Sequence, residues 1–193
     1  MKKKILAGAL VVLCLSLMAA GTAAYFTARD TAHNVITTGN VNIRVEELTD
    51  QKDAQGNPIP FEDPVGILPS AEVSKIVQVK NTGSADAWVR IRLVPGFRMS
   101  PKYAPADFQP DPDLLIQDLD LRHWKLKDGW YYYQGALGSG KTTEPLLKSV
   151  KFSPDIGNEY QECKFTLDVQ AQAVQVKNNG TTVWEAKGWP ADK

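Results

Sequence analysis

Three groups of residues in this sequence have the types and spacing that chemistry demands. Residues 135–142, Gly-Ala-Leu-Gly-Ser-Gly-Lys-Thr, satisfy the phosphate-loop pattern G-x-x-x-x-G-K-[ST]. In such a loop backbone N–H groups wrap the phosphates, the lysine neutralises them and the hydroxyl holds magnesium. That arrangement needs a helix opening at the Gly-Lys-Thr. Here Pro145 stands three residues beyond Thr142, and the following LLKSVKF is too short and too alternating to be that helix. The run reads instead as a glycine-rich hairpin loop in which glycine supplies positive φ, with no nucleotide bound. The acidic cluster Asp111, Asp113, Asp118 and Asp120 suggests calcium, yet it lacks the spacing and the glycine of a calcium loop. Cys163 could serve as a thiol nucleophile only beside a histidine. The two histidines, His33 and His123, are brought near it by nothing in the sequence, so it reads as a small buried side chain. Tyr131, Tyr132 and Tyr133 could stack on sugars, but alternating core and surface positions account for them equally. No His-Glu-x-x-His, no Gly-x-Ser-x-Gly and no Cys/His cluster occurs. The expectation is a protein that is not an enzyme, with no catalytic residues, no cofactor and no metal.

The elements that would position such groups read as strands. Val41, Ile43 and Val45 alternate with Asn42, Arg44 and Glu46, a half-buried strand of period two. Residues 50–69, rich in Asp, Gly, Asn and Pro, read as a long surface loop. Val73, Val77 and Val79 share one face. After the turn NTGSAD, Ala87, Val89, Ile91 and Leu93 alternate with Trp88, Arg90 and Arg92, and the two runs read as an antiparallel hairpin. Residues 95–112 read as irregular, and Pro112 suits the first turn of a short helix over residues 113–118. Residues 119–126 and 130–133 form two strands joined by the hairpin signal KDG, and Val150 and Phe152 mark another. Phe165, Leu167, Val169, Ala171 and Ala173 alternate through a long strand. Val174 and Val176 then fall out of phase, which predicts a bulge. Seven or eight strands with long loops and at most short helices predict an all-β fold, a β-sandwich of jelly-roll type.

Three segments divide the chain. Residues 1–24 form an export signal: Lys2, Lys3 and Lys4, then an apolar run, then Gly21, Thr22, Ala23 and Ala24. Thr22 at −3 and Ala24 at −1 put the cut between Ala24 and Tyr25. The alternative is an uncleaved anchor, since no charge falls between Lys4 and Arg29, long enough to cross a hydrocarbon core of about 30 Å. Leu13 before Cys14 speaks against a lipoprotein. Residues 25–40 form an N-terminal segment, and residues 41–193 the sandwich domain. From Tyr25 onward the chain has 169 residues (193 less 24), enough for one domain with a real core. Without the three leading lysines, 22 acidic residues face 19 basic ones, a net charge of −3 that gives no electrostatic reason to bind nucleic acid. One cysteine past residue 24 allows no internal disulfide.

The signal region KKKILAGALVVLCLSLMAAGTAAYFTA followed by TTGNVNI resembles the exported matrix proteins of Gram-positive bacteria, the TasA and camelysin group. The resemblance continues in LPSAEVSKIVQVKNTGSADAWVRIRLV, DGWYYYQGALGSGKTTEPLL and FTLDVQAQAVQ, so it touches most of the chain. It implies a secreted jelly-roll domain that polymerises with itself into extracellular fibres supporting biofilm, alongside other matrix proteins. It also implies cleavage by a dedicated SipW-type signal peptidase. Some members carry a metallopeptidase label, for which this sequence has no zinc-ligand pattern. In such fibres the mature N-terminus adds a strand to a neighbouring subunit. Here that role falls on Tyr25, Phe26, Thr27 and Ala28 and on the residues up to Val35 and Ile36.

Strand chemistry supports the same reading. A sandwich has edge strands whose backbone groups must be covered or paired, and a segment released by cleavage can fill one. The alternatives are that residues 25–34 fold onto their own domain or stay disordered. Two other functional classes remain: a monomeric secreted binding module for carbohydrate or a surface, and a secreted peptidase. Mass spectrometry of extracellular protein is expected to find an N-terminus within a few residues of Tyr25. Met1 on the mature protein would refute the export reading.

Overall fold

The computed structural model describes residues 34–37, 41–62 and 68–191. In chain order its strands are β1 (Asn34–Thr37), β2 (Ile43–Lys52), β3 (Pro58–Pro60), β4 (Glu72–Asn81), β5 (Ala87–Arg98), β6 (Leu115–Leu119), β7 (Trp124–Lys127), β8 (Trp130–Tyr133), β9 (Leu147–Phe152) and β10 (Lys164–Gln175). Two short 3-10 turns, Pro112–Leu114 and Asn158–Tyr160, are the only helical elements among the described residues. One five-stranded sheet runs β1-β10-β5-β8-β7, and the other β3-β2-β4-β9-β6. Every pairing is antiparallel except that of β1 with β10. The chain changes sheets between β1 and β2, β4 and β5, β5 and β6, β6 and β7, β8 and β9, and β9 and β10. The protein is an all-β sandwich with jelly-roll-type crossing between its sheets.

Period-two patterning does most of the building. Ile43 and Val45 of β2, Val77 and Val79 of β4, Val89 and Ile91 of β5 and Phe165, Leu167 and Val169 of β10 all point into one buried core. The KDG hairpin forms as its sequence demands. Asp128 (φ 51) and Gly129 (φ 75) both adopt the positive φ of a type I′ turn, which matches the twist of β7 and β8.

Several local readings are corrected. The runs through Val77 and Val89 are not a hairpin: β4 and β5 belong to opposite sheets, and NTGSAD carries the chain between layers. Asn81 makes that crossing possible. It is fully buried, donates to Ala85 O (2.8 Å) and Leu137 O (2.9 Å), and accepts from Gly83 N (3.0 Å). Residues 115–119 form β6 rather than a helix, because Leu115 and Leu119 line up against β9; only residues 112–114 turn helically. The strand expected over 119–126 begins at Trp124, while residues 120–123 form a turn. The supposed loop over 50–69 contains the end of β2 and the short β3, and β5 runs on through Pro95 to Arg98. No bulge interrupts β10. Its register with β5 is unbroken from Lys164 opposite Arg98 to Gln175 opposite Ala87. Val174 is buried because the outer face of the sheet is itself covered, so apolar residues are needed on both sides.

Lys75 departs most from the pattern. It stands between Val73 and Val77 on the inward face and is 1% exposed. Its ammonium pairs with Glu47 on β2 and lies 3.8 Å from the centre of the Phe61 ring. A charge taken out of water is tolerable only with such compensation.

Replacing Ile91 (0% exposed) or Leu167 (6%) with Ala is expected to cost about 2–5 kcal/mol in urea unfolding. A loss below about 0.5 kcal/mol would contradict their place in the core.

Candidate functional site

Among the described residues the features that stand out are the edges and faces of the sheets. Residues 1–24, the cleavage point at Ala24 and Tyr25, and the donor residues Phe26, Thr27 and Ala28 lie outside the described residues. Val35 and Ile36 lie in β1, opposite Ala171 and Gln172 of β10. β1 is four residues long and pairs only with the stretch from Gln170 to Ala173. Among the described residues no strand flanks residues 165–169 on that side. Backbone groups along such an edge are ready to pair with an added strand. β1 itself is held by few bonds in the parallel pattern, which is slightly weaker per residue than the antiparallel one.

The outer face of the β10-β5-β8 sheet carries a second cluster that alternation alone did not reveal. Trp88, Trp130, Tyr132 and Val174 pack there against Val183 and Ala186 of the C-terminal segment, with Val176 and Trp189 beside them. Arg90 is at its centre. Its guanidinium lies 4.3 Å from the centre of the Trp130 ring and 4.8 Å from that of Trp189. It donates to Gln172 Oε1 (2.6 and 2.9 Å), to Tyr132 OH (2.9 Å) and to Pro190 O (3.4 Å). Trp88 Nε1 donates to Asn179 O (3.0 Å), pinning the same segment. The signal for this cluster lay in Trp88, Arg90 and Arg92 sharing a face and in the two tryptophans of VWEAKGWP. Trp184 is 43% exposed, 5.0 Å from Tyr132 centre to centre. The three adjacent tyrosines divide by alternation: Tyr131 and Tyr133 pack on the core, Tyr132 on the outer cluster.

The loop over residues 135–142 spends its donors within the chain. Leu137 N donates to Ala87 O (2.9 Å), Gly140 N to Asn81 O (3.0 Å) and Lys141 N to Gly138 O (3.1 Å), and no helix opens at Lys141. The four aspartates separate. Asp111 caps the 3-10 turn, Asp118 faces outward on β6, and Asp120 is bound inside its own turn. With Asp50, Glu72 and Lys148, Asp118 lines an open concavity of about 640 Å³ on the outer face of the second sheet. Among the described residues no group of three His, Cys, Asp or Glu side chains is arranged to hold a metal ion. Cys163 is fully buried, and that burial pushes its thiol pKa up.

Asp120 and His123 form a hydrogen-bonded pair in the turn between β6 and β7. His123 Nδ1 lies 2.8 Å from Asp120 Oδ2, and Arg122 N donates to Oδ1 (3.0 Å). These bonds, the histidine's first, hold the Asp120 carboxyl well below its ordinary pKa. An ionised carboxylate only accepts, so the Nδ1 of His123 carries the proton between them. Close by, Tyr133 OH donates to Glu144; burial first, then that bond, pushes Tyr133 up to about 12.

Compared with protein-family models and with curated proteins, the chain finds no match. The dyad makes a pH-dependent prediction. Because the folded pKa of Asp120 is depressed, its contribution to stability is present above the ordinary carboxylate pKa of about 4 and is lost as pH falls toward the folded value. Asp120→Asn is therefore expected to lower the unfolding temperature at pH 7. That deficit should shrink as the pH of both proteins drops below about 4. A deficit independent of pH would overturn this account.

Proposed function

We propose that this chain is the exported structural subunit of an extracellular fibre of the biofilm matrix. After cleavage by a SipW-type signal peptidase it assembles head-to-tail with itself by donating its N-terminal segment to a neighbour. The observation that carries this reading is the β1 edge: a four-residue parallel strand beside a twelve-residue β10 that extends past it. A strand so placed can be exchanged for the same strand of another copy. Donor and acceptor are different surfaces, so the contact does not close on itself and builds an open filament. Carrying the register of Asn34 opposite Gln170 back along a parallel donor sets its residues 29–33 opposite residues 165–169 of the acceptor. Ala28 then falls opposite Lys164, and Tyr25, Phe26 and Thr27 extend past that end of β10, with Val35 and Ile36 in the β1 position.

The energetics suit assembly at a secreting surface. Each added main-chain hydrogen bond contributes roughly 0.5–1.5 kcal/mol net, and burying a ring such as Phe26 about 1.5–3 kcal/mol. Backbone bonds supply affinity while side-chain pockets set register. Exposed Trp184, with Lys127 Nζ 5.8 Å from its ring centre, favours a second reading, a monomeric module that stacks on carbohydrate.

Electron microscopy separates the two. Protein beginning at Tyr25 is expected to form fibres, protein beginning near Asn40 to stay a folded monomer, and extra residues before Tyr25 to slow growth. Fibres of the same kind from the shorter protein would place assembly elsewhere. A monomer at every length, with tryptophan fluorescence quenched by oligosaccharide, would favour the binding module.

A further inference from the structure

We propose that the flank of the sandwich formed by β6 and β7 is a second self-docking surface, through which copies of this chain associate side by side. Each sheet ends on this flank: β7 closes one strand order and β6 the other. They are consecutive in sequence and joined by the turn 120–123, so the two open edges lie next to each other. At the opposite ends of the strand orders are β1 and β3, so this flank is distinct from the edge used for strand donation.

Three observations single it out. Of the exposed large apolar side chains, Ile116 on β6 (51%), Leu121 in the turn (50%) and Leu126 on β7 (59%) gather here. Ile116 stands on the outward side of β6 with Asp118, and Leu126 on the Trp124 side of β7, so each of the two open strand edges carries an exposed apolar side chain. Next, the turn is rigid. Asp120 accepts from Arg122 N and from the His123 ring, Trp124 N donates to Asp120 O (3.2 Å), and Lys125 Nζ donates to Leu121 O (2.7 Å). A preformed surface loses little freedom on docking. Finally, the two edges carry opposite charge. Asp118 is exposed on β6, and Lys125 and Lys127 are exposed on β7.

That charge pattern selects a second copy of the chain as the occupant, and it selects the orientation. A two-fold axis parallel to the strands sets β7 of one copy against β6 of the other, with Lys125 and Lys127 facing Asp118, and repeats the contact in reverse on the second sheet. An axis across the strands sets β7 against β7, and lysine faces lysine, which is unfavourable. The lysines thus block one pairing of the edge while fitting the other. The proposal rests on the fibre reading for its setting, the lateral association of filaments, but the contact itself does not need the donated strand.

The test uses the exported protein in low salt. Filaments seen by electron microscopy should lie in side-by-side bundles. Ile116→Lys and Leu126→Lys, both at exposed positions, should leave filament growth intact and abolish bundling. Asp118→Lys alone should also disperse the bundles, while Asp118→Lys combined with Lys127→Asp, which leaves the Lys125 bond to Leu121 O in place, should restore them. Bundles that persist in Leu126→Lys, or a combined variant that stays dispersed, would overturn the proposal. If no filaments form, the fibre reading fails on its own. The flank is then decided by sedimentation velocity: concentration-dependent dimers lost in Leu126→Lys support it, and a monomer up to millimolar protein overturns it.

Discussion

The antiparallel ladder between β5 and β10 is the contact on which the rest of this molecule depends. It runs twelve residues without a break, from Lys164 opposite Arg98 to Gln175 opposite Ala87. β8 is added to one side of it and β1 to the other. Its inner face supplies Val89, Ile91, Phe165, Leu167 and Val169 to the core, while its outer face supplies Trp88, Arg90, Gln172 and Val174 to the second cluster. A slip of one residue would turn Ile91, Leu167 and Val169 out of the core and bring Arg90, Asp168 and Gln172 into it.

The two sheets meet solvent differently. The outer face of the β10-β5-β8 sheet is roofed by the C-terminal segment, with Arg90 stacked among Trp130, Tyr132 and Trp189. Planar guanidinium suits that role as ammonium would not, since it stacks on rings and donates in their plane at once. The outer face of the opposite sheet stays open and carries Asp50, Glu72 and Asp118. One sheet thus has its outer face settled by the chain's own C-terminal segment, while the other leaves its outer face to solvent.

Much of the fold was legible because period two is a strong signal where one face is buried. Val89, Ile91, Leu167 and Val169 point inward as alternation requires. It failed where its assumption failed. Alternation predicts a bulge at Val174 only because it takes the outer face to be solvated, and that face is covered. Lys75 stands on an inward face without a sequence signal, because no periodicity announces Glu47 and Phe61 as its partners. β4 and β5 looked like a hairpin because their separation is short, and only the buried side chain of Asn81 tells that the chain is changing layers there. The edge geometry beside β10 was invisible for the same reason, since residues 34 and 170 are far apart in sequence and local pattern carries no pairing between them.

That distance also has a temporal meaning. β1 is among the first strands of the chain and β10 the last, so the strand at Asn34–Thr37 has no partner until nearly the whole chain exists. Pairings between such remote segments close slowly, because the loop entropy must be met before the contact stabilises anything. Order of synthesis and order of pairing thus run opposite ways in this chain: the first of the described strands to be made is among the last to find its partner.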